Sequence, residues 1–252
     1  MIFFNRNVKK GGLKLQTNIL LKAHKDEHIS TELEQLLYSI GTIKTAEKDS
    51  YIFHAGEVAH EIYLIQSGLI EMTLLTSDGK ELSLRICKKQ DIIGELTLFS
   101  DDPVYFLSAK VLEPVEVITI NKNRLERELM TNSTLTFEYM KWASNHMRKF
   151  QSKIRDLLLN GKKGALYSTL IRLSNSYGTK QSNGTLITLA LTNQELAKFC
   201  ATTRESVNRM LAELRKLEVI AVDQGKILIK DIQYLRNEIG CENCPIEICN
   251  IN

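Results

Sequence analysis

The 252-residue chain predicts an α+β protein. It should hold a β-roll (jelly roll), one long dimerisation helix, and a C-terminal winged helix-turn-helix ending in a short cysteine-bearing tail. Three observations predict this. Between Tyr51 and Ile120, apolar residues alternate in short runs broken by glycine turns, the pattern of half-buried strands in a roll. From Thr131 to Asn160 the apolar period becomes 3.5 residues, which keeps one narrow stripe of a helix facing a partner. From Leu191 to Ile220, two short helical segments flank a tight turn, and a strand pair follows.

Composition sets the outer limits. Apolar residues make up 43% and charged residues 25%, as in ordinary soluble proteins, and the length suffices for two small cores. Net charge is only +3, but its distribution is uneven. Residues 141 to 163 carry seven Lys or Arg against the single acid Asp156. A positive segment beside a dimer axis suits a polyanion, although a solvated helix face has the same composition. No run approaches the roughly 18 apolar residues of a membrane span. The start, Met1-Ile2-Phe3-Phe4 before Lys9 and Lys10, has the wrong order for a signal peptide. The chain is therefore expected in the cytoplasm, with no membrane partner. No nucleophile–base pair and no Gly-rich phosphate loop is evident, so it is not expected to be an enzyme.

Residues 1–30 show no period and read as an N-terminal arm. The sensor domain is expected at 31–131, opening with a helix through Leu33, Leu36, Leu37 and Ile40. Strands follow at Tyr51–His54, Glu61–Ile65, Leu69–Thr76 and Lys80–Ile86, the last two joined across Ser77-Asp78-Gly79. Further strands are expected at Gln90–Leu98 and Val115–Ile120. His54 and His60 read as surface residues.

The dimerisation helix is assigned to 132–160. Met140, Ala143, Met147, Phe150, Ile154 and Leu157 recur at spacings of 3, 4, 3, 4 and 3, the a/d seam of a coiled coil. Asn132 or Ser133 can cap its start, and Gly161 marks its end.

The DNA-binding domain is assigned to 161–238. Thr192 or Asn193 caps a helix to Phe199, the turn is Cys200-Ala201-Thr202, and a second helix runs from Thr203 to Leu217. Val207, Met210, Leu211 and Leu214 give the second helix an inner face. Arg204, Glu205, Asn208 and Arg209 form its leading outer face, placed to enter a major groove. Cys200 reads as a small core residue.

The tail, 239–252, carries Cys241, Cys244 and Cys249 at C-x2-C-x4-C. It looks too short and polar to bury thiols as core, and in an unexported chain the spacing points to metal. Structural zinc and an iron–sulfur cluster both use such sets, and zinc would want a fourth Cys or His.

The stretches "IYLIQSGLIEM", "TSDGKELSLRI" and "DIIGELTLF", the helix start Arg-Glu-x-x-x-Arg at Arg204, and the tail resemble the cyclic-AMP receptor protein/fumarate–nitrate reduction regulator (CRP/FNR) family. The tail is most similar to the FNR type of Gram-positive bacilli. The resemblance runs from about Glu32 to the tail and implies a cyclic-nucleotide-binding-like roll. In nucleotide-binding members, a Glu like Glu95 takes the ribose and an Arg some ten residues on takes the phosphate. Here those later positions read Tyr105-Phe106, so Glu95 is expected to be structural. The resemblance further implies a homodimer on a palindromic, TGTGA-like operator, with Arg204 and Arg209 on guanines and Glu205 on a cytosine. It implies RNA polymerase as a partner, and control of anaerobic or respiratory genes. It also implies one [4Fe–4S] cluster per subunit, held by the three cysteines and Asp156. A cyclic-nucleotide-gated regulator and a zinc-bearing tail remain the alternatives.

Overall fold

The computed structural model describes residues 29–76, 79–223 and 225–252. The expectation for residues 1–28 and for the turn at Ser77-Asp78 lies outside them. Helix α1 (Thr31–Ile40) starts where the Ser30 side chain accepts from Leu33 N–H, and it buries Leu33, Leu37 and Ile40. The roll then forms from β1 (Thr42–Ala46), β2 (Glu61–Leu75), β3 (Glu81–Cys87), the two-residue β4 (Ile92–Ile93) and β5 (Ser108–Asn121). Its strands are antiparallel in the order β1-β5-β2-β3, with β4 on β2.

Several strand expectations change. Glu61–Ile65 and Leu69–Thr76 are one strand, β2, which slips register on either side of Gly68. Gly68 has φ +83, and a Cβ there would lie 2.2 Å from the Pro114 carbonyl, so only glycine lets the strand bend without breaking. Gln90–Leu98 is not a strand. It gives β4 and then a 3-10 turn at Glu95–Thr97, because Gly94 turns left-handed at φ +82. Tyr51–His54 contributes only an isolated bridge, Tyr51 to Lys110. Strand β1 went unforeseen, since its residues are nearly all exposed and show no apolar alternation.

Helix α2 (Lys122–Thr131) closes the roll, and α3 (Ser133–Leu159) follows after Asn132, whose side chain accepts from Leu135 N–H at 3.1 Å. Helix α4 (Gly161–Tyr177) begins directly after Asn160 and is buried continuously from Gly164 to Ser174. Around it pack β6 (Gly178–Gln181), β7 (Gly184–Ile187), α5 (Asn193–Phe199), α6 (Arg204–Lys216), β8 (Ile220–Asp223), β9 (Lys226–Ile229) and α7 (Ile232–Glu238). The four strands form a second sheet, β6-β7-β9-β8. Thr192 and Glu195 make a reciprocal capping box at the start of α5.

One apolar core fills the roll, and a second lies among α1, α2 and the first half of α3. The third, centred on α4, takes in Ile86 of β3 and Ile251 of the tail. None of the described helices is long and apolar enough to cross a membrane.

Candidate functional site: a reading helix and a thiol-lined cavity

Helix α6 buries Val207, Met210, Leu211 and Leu214 and leaves Arg204, Glu205, Asn208 and Arg209 exposed. Thr203 caps it, accepting from Ser206 N–H at 3.3 Å. Glu205 is held below the usual carboxylate range by its own backbone N–H and by the Thr203 hydroxyl. A charged, unobstructed leading face on a helix seated by a tight turn is what major-groove readout needs.

The basic segment is less exposed than its composition suggests. Lys149 is buried, and Lys153 turns inward to donate to the Leu84 carbonyl. Burial and then Arg172, Arg85 and Lys149 push the Lys153 ammonium down to about 7. Lys163 pairs with Glu238 at 3.2 Å and Glu213 at 3.7 Å. Arg148 and Lys162 stay exposed.

The proposed seam divides. Met140, Met147 and Ile154 are 61%, 57% and 51% exposed, whereas Ala143, Phe150 and Leu157 are half-buried against their own chain. Ala143 packs on the second core and Leu157 on the third. Phe150 lines a cavity in the roll. The face pressed on the protomer is instead Tyr139, Trp142, His146, Lys149, Ser152 and Asp156.

That roll cavity, about 360 Å³ including space open to solvent, lies where a cyclic nucleotide would be sought, and its walls include Phe53, Tyr105, Phe106 and Phe150. Glu95 is buried there with both carboxylate oxygens taken by Arg85 Nη2, at 3.0 and 3.1 Å. Arg85 also donates to the Ile92 carbonyl and to His146 Nε2. Burial, then Arg85 and Lys149, depress His146 to about 2, which keeps the ring neutral and able to accept. A cyclic phosphate would need a cation after Gly94. The structure instead supplies Arg85 from β3, ten residues before Glu95, and spends it on that carboxylate.

The second cavity, about 530 Å³ and partly open to solvent, lies between the end of α3, α4 and the tail. Cys241, Cys244, Cys249 and Asp156 all line it. Asp156 Oδ2 accepts from Ser168 at 2.5 Å and Arg172 at 2.7 Å, while Oδ1 accepts from Arg155 at 3.1 Å. Burial alone would raise this carboxyl, but Ser168, Arg172 and Arg155 together hold it below its usual range. Arg155 also reaches Glu242 and lies 4.0 Å from Cys244 Sγ. Burial raises the Cys249 thiol, with Arg172 opposing.

Among the described residues, no three His, Cys, Asp or Glu side chains gather closely enough to hold a single metal ion. The donors ring the cavity instead. Cys87 and Cys200 stand apart from it, buried, with thiols pushed up to about 12 mainly by burial.

The tail is not the unburied polar segment expected. Ile248, Asn250, Ile251 and Asn252 are all buried. Arg172, which sequence reasoning missed, anchors them. Its guanidinium is wholly enclosed and donates to Ser152, Asp156 and the carbonyls of Ile248 and Asn250. An arginine between Ile171 and Leu173, on a helix apolar on most sides, was the available signal.

Comparison with known proteins agrees with both halves of this geometry. A cyclic nucleotide-binding domain model matches residues 43–132, and a Crp-like helix-turn-helix domain model matches residues 164–238. The chain is 66% identical over 225 residues to the anaerobic regulatory protein of Bacillus subtilis, covering 89% of this chain and 94% of that protein. It is 31% identical over 226 residues to the lactate racemization regulatory protein of Lactiplantibacillus plantarum, covering 84% and 99%. The solved structure of FixK2 from Bradyrhizobium japonicum superposes with a TM-score of 0.67 at 17% identity, over 79% of this chain and 96% of that one, and so shares the fold. The chain belongs to the CRP/FNR family of DNA-binding transcription regulators.

Proposed function

We propose that this regulator responds to oxygen or redox state through a [4Fe–4S] cluster held by Cys241, Cys244, Cys249 and Asp156. The observation that carries the reading is the single cavity onto which all four residues open. A cluster is ligated iron by iron, so donors ringing a cavity suit it better than they suit zinc, which wants four ligands at one point. Arg155 and Arg172 beside the donors would offset the negative charge of bound thiolates. Asp156 would hold the group from α3, with Ser168 and Arg172 fixing its carboxylate in place. When bound, such a group supplies a redox-labile link between tail and helix end. This chain's own residues then carry the change, because Asp156 sits on α3 and Ser168 and Arg172 on α4, whose domain presents α6. One arrangement of the reading helices is thereby favoured over another.

A dimer fits the same reading. Met140, Met147 and Ile154 leave an apolar stripe along α3 for a second copy, and two α6 helices related by a two-fold would read a palindrome about 10 base pairs between centres. TGTGA-like half-sites are what the resemblance of Arg204, Glu205 and Arg209 to the family's reading helix implies, and RNA polymerase is the partner such a regulator would act on. Cyclic-nucleotide gating is disfavoured, since Glu95 is already bonded to Arg85.

Anaerobic reconstitution followed by iron and sulfide analysis tests the reading. About four irons per chain with broad charge-transfer absorption is expected, falling in Asp156→Ala without loss of fold. One zinc and no sulfide would overturn it. For operator readout, Arg204→Ala and Arg209→Ala should each weaken binding by roughly 1–3 kcal/mol and relax preference at one guanine.

A further inference from the structure

Strand β3 lies at the edge of its sheet, so alternate N–H and C=O groups face away from β2. That edge is covered by parts of the molecule far away in sequence. The Leu84 carbonyl accepts from Lys153 on α3, and the Ile86 N–H donates to the Ile251 carbonyl of the tail at 3.2 Å. Ile251 in turn donates its own N–H to Ser176 Oγ on α4 at 3.0 Å. Its side chain is fully buried in the core that α4 shares with Ile86. On the α4 side the segment is tied twice more. Asn175 Nδ2 donates to the Cys249 carbonyl at 2.6 Å, and Arg172 Nη1 to the Asn250 carbonyl at 3.4 Å.

We propose that Cys249–Asn252 is a metal-independent strap that fastens the helix-turn-helix domain to the open edge of the roll, and that any displacement of Cys249 reaches this joint through it. The proposal goes beyond the cluster reading and holds whether or not iron binds. It follows from bonding on both sides of one residue. Ile251 gives its carbonyl to the roll and its amide to the DNA-binding domain, so it cannot follow either domain without releasing the other. Across the same joint, Lys198 of α5 meets Glu81 of β3 at 2.5 Å. That pair is partly exposed and holds weakly. The buried apolar contact and the edge hydrogen bond are the stronger tie. Cys249 is the first residue of the strap, and its carbonyl is fixed to α4. A change in where its sulfur is held must therefore pull on Asn250 and Ile251.

Hydrogen–deuterium exchange on the full chain, stripped of metal by chelator, tests this against three variants. Ile251→Ser, and a chain ending at Cys249, should each speed exchange in peptides 81–87 and 165–176 by roughly tenfold. Peptide 115–121, inside the roll, should exchange as in the parent. Cys249→Ser removes the thiol and keeps the strap, so in metal-free protein it should leave peptide 81–87 unchanged. Parent-like exchange at 81–87 in Ile251→Ser would overturn the proposal. So would uniform acceleration through 115–121, which would make the tail part of the general core and not of the joint. Failure of iron to bind leaves all these outcomes unaltered, so the two readings fail separately.

Discussion

Two cavities among the described residues are each built on a buried arginine–carboxylate pair, and they use it oppositely. In the roll, Arg85 takes both oxygens of Glu95 among aromatic walls. Under the tail, Asp156 divides its oxygens among Ser168, Arg172 and Arg155, and faces three thiols. The first pair closes a site by satisfying itself. The second keeps one oxygen on a half-exposed partner, Arg155, that can be given up. A buried carboxylate with a single cation is structure, and one with several graded partners can be part of a switch.

This comparison orders the expected effects of substitution. Arg85→Met should be the most damaging, because it strands Glu95 without a cation, a loss of about 3–5 kcal/mol in urea unfolding. Arg172→Met should cost less, roughly 2–3 kcal/mol, since Asp156 keeps Ser168 and Arg155. If Arg172→Met proves the worse of the two, Asp156 is not buffered as described. Asp156→Ala should lower iron retention more clearly than it lowers stability, with unfolding midpoints read beside iron content.

The smallest effect belongs to Glu71, a third buried acid that lacks an arginine. Burial raises its carboxyl, with the Ser83 hydroxyl and then Lys198 opposing. A folded-state value above the unfolded one makes the charged form a cost at neutral pH. Glu71→Gln should therefore raise stability modestly at pH 7. The gain should shrink with falling pH and vanish below about 4.3, where the unfolded carboxyl is also protonated. A gain that persists at pH 3 would point to packing instead.

What could be read from the sequence follows from how far each signal reaches. Thr192 and Thr203 cap the helices they precede, and the α6 inner face repeats within two turns, so the helix-turn-helix is written locally. The C-x2-C-x4-C spacing is equally local. Arg85–Glu95, Arg172–Asp156 and Ile86–Ile251 bring together residues 10, 16 and 165 positions apart, respectively, with no periodicity to announce them. The α3 seam was legible as a stripe but not as a division. Spacing alone could not say that Ala143, Phe150 and Leu157 lean on their own chain while Met140, Met147 and Ile154 do not. Strand Gln90–Leu98 failed because apolar residues around Gly94 serve a left-handed bend that alternation cannot reveal.

Gly161, the first residue of α4, stands at φ +56, a value that most side chains resist, and nothing around it crowds it. Two rods meet there. The 17 residues of α4 extend about 25 Å. Turning such an arm by roughly 10° sweeps its far end through about 4 Å, more than the 3.4 Å between successive base pairs. An arm of this length makes angular precision at its foot the quantity to be controlled, and a small rearrangement of the Asp156 contacts with Ser168 and Arg172 would be magnified before it arrived at DNA.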